Sequence, residues 1–364
     1  MKHLLFLFVF VYVVVSCESN PDKINHDKVI DLLTIKYSGK ADSVQFEMID
    51  GLSQHLNQDS ISGTYGAVLS IPNLMDAVFS YEIVLFSKDS IGQMFEMQPS
   101  RDLLTLNNKK AIEKNERFLW IGDNRSHLHL DNNDLQGTIT SKKVKSDFLG
   151  EEREITIYRP TNVGSDIPLI YFTDGMAVKS YAPYVDYLIN TKRISPVQLV
   201  GVHSSRSNRY KEYVKGADGN EAFVNHEKFF FQEVMPIVEQ DIPNWNGKRY
   251  IYGFSNGAAF CTYAGLHKLD MLEEVIAFSI ADYITPMAQM INPIKFKLDQ
   301  YPKFYMGAGK YETSIYRSNR KFVKKMKKKK IDLNFKEFIA GHDSNVWHHE
   351  FMEYAEKRFN TGEL

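Results

Sequence analysis

Arg249-Tyr250-Ile251-Tyr252-Gly253-Phe254-Ser255-Asn256-Gly257-Ala258-Ala259-Phe260 decides how this chain folds. A run of aromatic residues with Ile251 comes first and reads as a buried strand. A serine between two glycines follows, then small residues that open a helix. This is G-x-S-x-G in a strand–turn–helix context, which lifts the serine hydroxyl clear of the backbone on a sharp turn. A side chain at 253 or 257 would crowd that turn, and glycine at both positions avoids it. Ala258 and Ala259 let the helix start close to the sheet. The pattern predicts Ser255 as a nucleophile. The N–H of Asn256, at the positive end of the helix, is predicted as one donor to a developing oxyanion.

The rest of the second half supports a sheet around this turn. Residues 153–160 alternate and end at a proline, as an edge strand does. Residues 168–175, 197–202, 273–280, 303–307 and 333–338 are short apolar runs of the kind that form buried parallel strands. Helical stretches lie between them at 181–191, 220–240, 258–268 and 314–330. Strand–helix alternation predicts an α/β domain over 141–364, a doubly wound, mostly parallel sheet. Ser255, Asp174, Glu312 and His342 all follow strands, so they fall on one edge of that sheet.

A serine needs a base to take its proton. His342, in Gly341-His342-Asp343 after the last strand, is the predicted base. His203, also after a strand, is a second histidine that can line the pocket, whereas His348 and His349 are expected to be exposed. In this fold type the acid lies between serine and histidine in the chain. Glu312 is favoured for that place, and Asp282 is the competing acid. A second oxyanion donor is expected from Asp174-Gly175-Met176, through the N–H of Gly175 or Met176, with the Asp174 carboxylate tying down the loop.

The first half has a different texture. The segment 28–140 holds short strands, clearest at 77–86, separated by polar turns, and predicts a small β-sandwich. Met1-Lys2-His3 and the apolar run to Val15 read as a signal of residues 1–17, ending in Val14-Val15-Ser16-Cys17. This resembles a bacterial lipobox. The resemblance implies lipidation of Cys17, a polar tether at 18–27, and an exported lipoprotein held on a membrane of the cell envelope.

The 364 residues carry a formal net charge of −1, which argues against a dedicated nucleic-acid partner. Only two cysteines are present, so Cys261 has no disulfide partner if Cys17 is lipidated. Cys261 is expected to be a buried structural thiol. The chain has no H-E-x-x-H, no cysteine pair and no G-x-x-x-x-G-K-[ST], so no metal or cofactor is predicted. The basic run 324–330 reads as a solvated helix end.

Taken together, Phe172-Thr173-Asp174-Gly175, Arg209-Tyr210-Lys211-Glu212-Tyr213, the serine turn, Gly309 to Glu312, and Gly341-His342-Asp343 with Trp347 resemble the Putative esterase family of α/β hydrolases. That family includes enterochelin esterases and feruloyl and acetyl-xylan esterases. The resemblance covers residues from 147 to the end and implies Ser255 as nucleophile, His342 as base and Glu312 as its partner. Arg209 and Glu212 are expected to brace a loop. Gly63 to Tyr81 is more weakly similar to the sandwich of enterochelin esterases, but Tyr65 or Gly66 stands where a tryptophan is usual.

The expected activity is hydrolysis of a carboxylic ester through an acyl-serine. Its substrate would be a siderophore trilactone or an acyl or feruloyl group on a polysaccharide. The same fold also serves non-catalytic proteins that bind glycans or chelates. The same acyl-enzyme serves acyltransferases, and the sequence leaves both alternatives open.

Overall fold

A computed structural model describes residues 30–97, 104–107, 109–110, 112–114, 117–125, 135–161, 163–282 and 300–362. The expected signal, Cys17 and the tether lie outside these residues.

The first half forms two antiparallel sheets. One runs β4 (Asn57–Gln58), β5 (Tyr65–Pro72), β1 (Ile30–Tyr37), β8 (Leu104–Leu106), β9 (Lys109–Lys110). The other runs β10 (Ile112–Lys114), β11 (Arg117–Ile121), β6 (Val78–Lys88), β2 (Ser43–Met48), β3 (Ser53–His55), with β7 (Met94–Met97) also on β6. Strand alternation makes the core. Val44, Phe46 and Met48 of β2 point inward, while Ser43, Gln45 and Glu47 do not. Phe46 stacks on Tyr81 at 5.3 Å, and Phe79 stacks on Trp120 at 6.3 Å.

The second half is one eight-stranded sheet. Its order is β12 (Thr138–Lys145), β13 (Glu152–Arg159), β15 (Gln198–Val202), β14 (Leu169–Phe172), β16 (Arg249–Phe254), β17 (Glu274–Phe278), β18 (Lys303–Gly309), β19 (Leu333–Phe338). β12 and β13 pair antiparallel, β13 meets β15 antiparallel, and all later pairs are parallel. The strand at 153–160 is therefore not an edge. β12 covers it, and β12 reads as polar (Thr-Ile-Thr-Ser-Lys-Lys-Val-Lys) because it is the exposed edge itself. The sheet thus begins at Thr138, a few residues before the expected boundary.

Helices cover both faces. α1 (Val178–Asn190) and α7 (Ser344–Arg358) lie on one, with Ile170, Phe172, Tyr252 and Phe278 beneath them. α3 (Glu221–Lys228), α4 (Met235–Glu239), α5 (Asn256–His267) and α6 (Ser314–Lys328) take the other face, over Leu169, Tyr171, Ile251 and Val275. A short helix, α2 (Arg209–Tyr213), precedes α3. The expected helix at 220–240 is interrupted by a π stretch, Phe229–Val234. Pro236 explains it, since it has no N–H for the preceding turn and its ring crowds the carbonyl four residues back.

The sandwich packs against the α1/α7 face, and the apolar cluster runs from its interior into that layer without a break. Polar contacts cross the same seam. Arg125 pairs with Glu350 at 2.6 Å and Glu353 at 2.7 Å, and the arginine and Glu350 are both nearly buried. Lys336 reaches the same two carboxylates, at 2.5 and 2.6 Å, so the charges at the seam form a network rather than a lone pair.

His226 sits on α3 with no exposure, and neither ring nitrogen has a hydrogen-bond partner. Burial, with Arg153 nearby, lowers its pKa to about 3. The sign follows from linkage. The unfolded chain protonates this ring near its ordinary value of about 6.5, and the native state does so only near 3. Stability is unaffected above that upper value and falls as pH drops through the interval. We expect wild type to lose about 2 kcal/mol from this residue between pH 7 and 5. His226→Leu should lack that loss in urea unfolding at the two pH values. An equal loss in the variant would refute the assignment.

Candidate active site

Ser255 caps the carboxyl end of β16 at φ 55 and ψ −127, a strained conformation for a residue with a side chain. The turn is pinned from both sides: Ser255 N–H donates to Phe278 O at 2.9 Å, and Ala281 N–H donates to Ser255 O at 3.2 Å. The glycines are required by contact. A Cβ on Gly253 would lie 2.6 Å from the Gly257 carbonyl, and one on Gly257 would lie 2.3 Å from Thr173 Oγ1. The helix can approach the neighbouring strand only because 257 has no side chain.

Ser255 Oγ lies 2.9 Å from His342 Nε2. His342 Nδ1 faces Glu312 Oε2 at 3.3 Å. Glu312 is buried, and its other oxygen accepts from Ser279 Oγ at 2.5 Å and from Gly309 N–H at 2.8 Å. The three side chains come from the ends of β16, β18 and β19, on the strands' carboxyl edge. Between the two acids weighed from the sequence, the one facing the imidazole is Glu312. Asp282 lies four residues past β17.

Asn256 opens α5, so its amide is among those with no intrahelical acceptor. Its side chain bridges Arg209 Nη1 at 3.1 Å and Ala281 O at 2.8 Å. Gly175 and Met176 form a short 3₁₀ turn after β14. Asp174 fixes that turn by a two-pronged pair with Arg209, at 2.6 and 2.8 Å. Glu212 holds Arg153 at 2.9 and 3.0 Å and the Ser205 amide at 2.8 Å. Arg209 and Glu212 therefore brace loops.

His203 lies against Gly175, where a Cβ would come within 2.1 Å of its Cδ2. Its Nε2 is 2.8 Å from Thr156 Oγ1, and burial holds its pKa below the ordinary histidine value. Asp174, Gly175, Met176, Lys179, Arg206 and His203 border a cleft of about 510 Å³. Met176 is 56% exposed at its mouth.

Sequence reasoning missed Ser279 and the place of Trp347. The Trp347 indole N–H donates to Ser279 Oγ at 2.8 Å, and its ring meets His342 edge-on at 4.6 Å. A serine breaking an otherwise apolar strand end, Phe278-Ser279-Ile280, was the available signal. His348 is not simply exposed. Its ring packs against Tyr181 and Tyr184, each at 4.4 Å. Cys261 is buried, and burial pushes its thiol well above the ordinary value, so it is chemically quiet. Among the described residues no cluster of His, Cys, Asp or Glu is arranged to hold a metal ion.

Residues 146–304 match the model of the family described as Putative esterase. The matched stretch takes in Ser255 and its turn and runs from the end of β12 into β18. No curated protein sequence matches the chain. Solved structures similar to this chain include the ferric enterobactin esterase of Salmonella typhimurium, at 13% identity and TM-score 0.63 over 89% of this chain and 92% of that one. The enterochelin esterase of Shigella flexneri has 14% identity and TM-score 0.62 over 91% and 94%. A ferulic acid esterase covers 62% of this chain and 98% of its own, at 15% identity and TM-score 0.51. At these identities the structures establish the fold, an α/β hydrolase behind a β-rich domain. The family match supports ester hydrolysis.

Proposed function

We propose that this chain is a serine carboxylic-ester hydrolase. The observation that carries the reading is the line Ser255 Oγ–His342 Nε2–Glu312, at 2.9 and 3.3 Å, beside a helix N-terminus. With Nδ1–H directed at the carboxylate, Nε2 is free to accept the serine proton. Oγ then attacks the ester carbonyl. The amides of Asn256 and of Gly175 or Met176 receive the oxyanion. His342 returns the proton to the leaving alcohol, leaving an acyl-serine. Water repeats the sequence and frees the acid.

For the substrate we favour an anionic chelate ester of the siderophore trilactone type over a feruloyl polysaccharide. Two observations support this. The sandwich-plus-hydrolase arrangement matches the enterobactin esterases over nearly the whole chain, whereas the ferulic acid esterase matches only part of it. Beyond the Arg209–Asp174 pair, the cleft beside Gly175 is bordered by Lys179 and Arg206 against Glu154, an excess of positive charge that favours an acidic ligand. We place the protein in the cell envelope, exported and anchored through Cys17, on the strength of its lipobox-like sequence.

A fluorophosphonate probe, which reacts with activated serines, tests the chemistry. We expect one adduct, mapped by mass to Ser255 and absent in Ser255→Ala. A folded, unlabelled wild type would instead direct attention to glycan and chelate binding. Turnover of a feruloyl ester but not a trilactone would reverse the substrate order.

A further inference from the structure

The residue after the predicted base is buried in the seam between the domains. Asp343 is 1% exposed. Its Oδ2 accepts from the backbone N–H of Ser80, on β6 of the sandwich. Its Oδ1 accepts from Ser80 Oγ at 3.1 Å and from Asn345 N–H at 2.9 Å, so it also caps α7. Asn345 Nδ2 closes the ring by donating to Ser80 Oγ at 2.7 Å. Ser80 itself is fully buried. β2 ends at Met48, opposite Tyr81; in the turn that follows, Ile49 N–H still donates to Ser80 O at 3.0 Å, while the Ser80 N–H goes to Asp343.

That same turn touches the site from the other side. A Cβ on Gly341 would lie 2.0 Å from Ile49 O, so the residue before His342 rests directly on the sandwich backbone. A Cβ on Gly51 would lie 3.3 Å from Tyr311 Cβ, beside the residue before Glu312. The base loop is therefore gripped on both flanks of His342, and the acid loop on one, by a domain that supplies none of the three reacting side chains.

We propose that the N-terminal sandwich is a positioning element for catalysis, and that Ser80 holds His342 between Glu312 and Ser255 through Asp343. The inference rests on the serine-hydrolase reading. Its physical basis is that the imidazole must meet two partners at once, while the residue after it is tied by side-chain hydrogen bonds to the other domain and the residue before it packs on that domain's backbone. A displacement of about 1 Å at such a group can cost on the order of 100-fold in rate. Ser80 and Asp343 touch no reacting atom, so they are positioning residues.

The test is a mutant cycle in the full-length chain, read by hydrolysis of the chromogenic ester p-nitrophenyl acetate. Asp343→Asn keeps size and helix-capping ability but loses an acceptor for Ser80. Ser80→Ala loses the hydroxyl alone. We expect kcat to fall about 10–100-fold in Asp343→Asn and about 5–30-fold in Ser80→Ala, with KM little changed. Ser80→Thr, which restores a hydroxyl, should recover most of the rate. The decisive comparison is with His342→Ala. If Ser80 acts through the histidine, Ser80→Ala should cost nothing further in that background.

Full kcat in folded Ser80→Ala and Asp343→Asn would overturn the proposal, as would an equal loss with and without His342. If Asp343→Asn does not fold, the Ser80 series gives the answer alone. Failure of the underlying reading looks different, because there Ser255→Ala itself remains active.

Discussion

Ser255→Ala is expected to lower kcat by about 10⁴-fold or more while the chain remains folded. The size of the effect follows from what the hydroxyl does: it is the atom that attacks, and no neighbouring group can take its place. The innocence of the substitution toward the fold follows from geometry. Ser255 holds its φ of 55 through backbone hydrogen bonds to Phe278 and from Ala281, which alanine keeps. Among the described residues, the side-chain partner lost is His342. Steady-state kinetics and thermal melting of the purified variant check both halves. Retained turnover in a preparation free of wild type would sink the serine mechanism.

Glu312→Gln is expected to cost about 10³-fold or more in kcat, whereas Asp282→Asn should shift it by less than about tenfold. The glutamate is held by Ser279 Oγ and the Gly309 amide, both donors, so one of its oxygens is committed and the other points at His342. Glutamine fits the same space. Its N–H₂ must then face either those donors or the imidazole, and in the second case it favours the wrong tautomer of His342. Histidine with its proton on Nε2 cannot accept from serine. The reverse ranking of the two variants would assign the orienting acid to Asp282.

Much of this site can be read from the chain because each piece is local. Gly253 to Ala259 carries strand, turn and helix start within a few residues. His342 and Glu312 announce themselves by following strands in glycine-bearing loops. What could not be read depends on partners far apart. Trp347 reaches Ser279 across 68 residues, and Asp343 reaches Ser80 across 263. Asp343 adjoins His342 in the chain, yet its carboxylate turns away into the sandwich. The edge of the sheet was misplaced for a different reason. β12 has the polar character of a loop, and only its pairing along all of β13 makes it a strand. His348 looked like a surface residue because its tyrosine neighbours lie on α1, far back in the chain.

The seam between the halves also bears on how such a chain can be inherited. Domains joined only by a linker can be exchanged or lost by recombination within it. A crossover in the stretch between β11 and β12 would not be neutral here. A replacement sandwich would have to present an amide and a hydroxyl to Asp343, an arginine to Glu350 and a bare turn to Gly341. Lacking them, it would leave a carboxylate stranded in an apolar layer. A sandwich exchanged at that point would therefore have to be matched to its hydrolase residue by residue, position 80 to position 343 first.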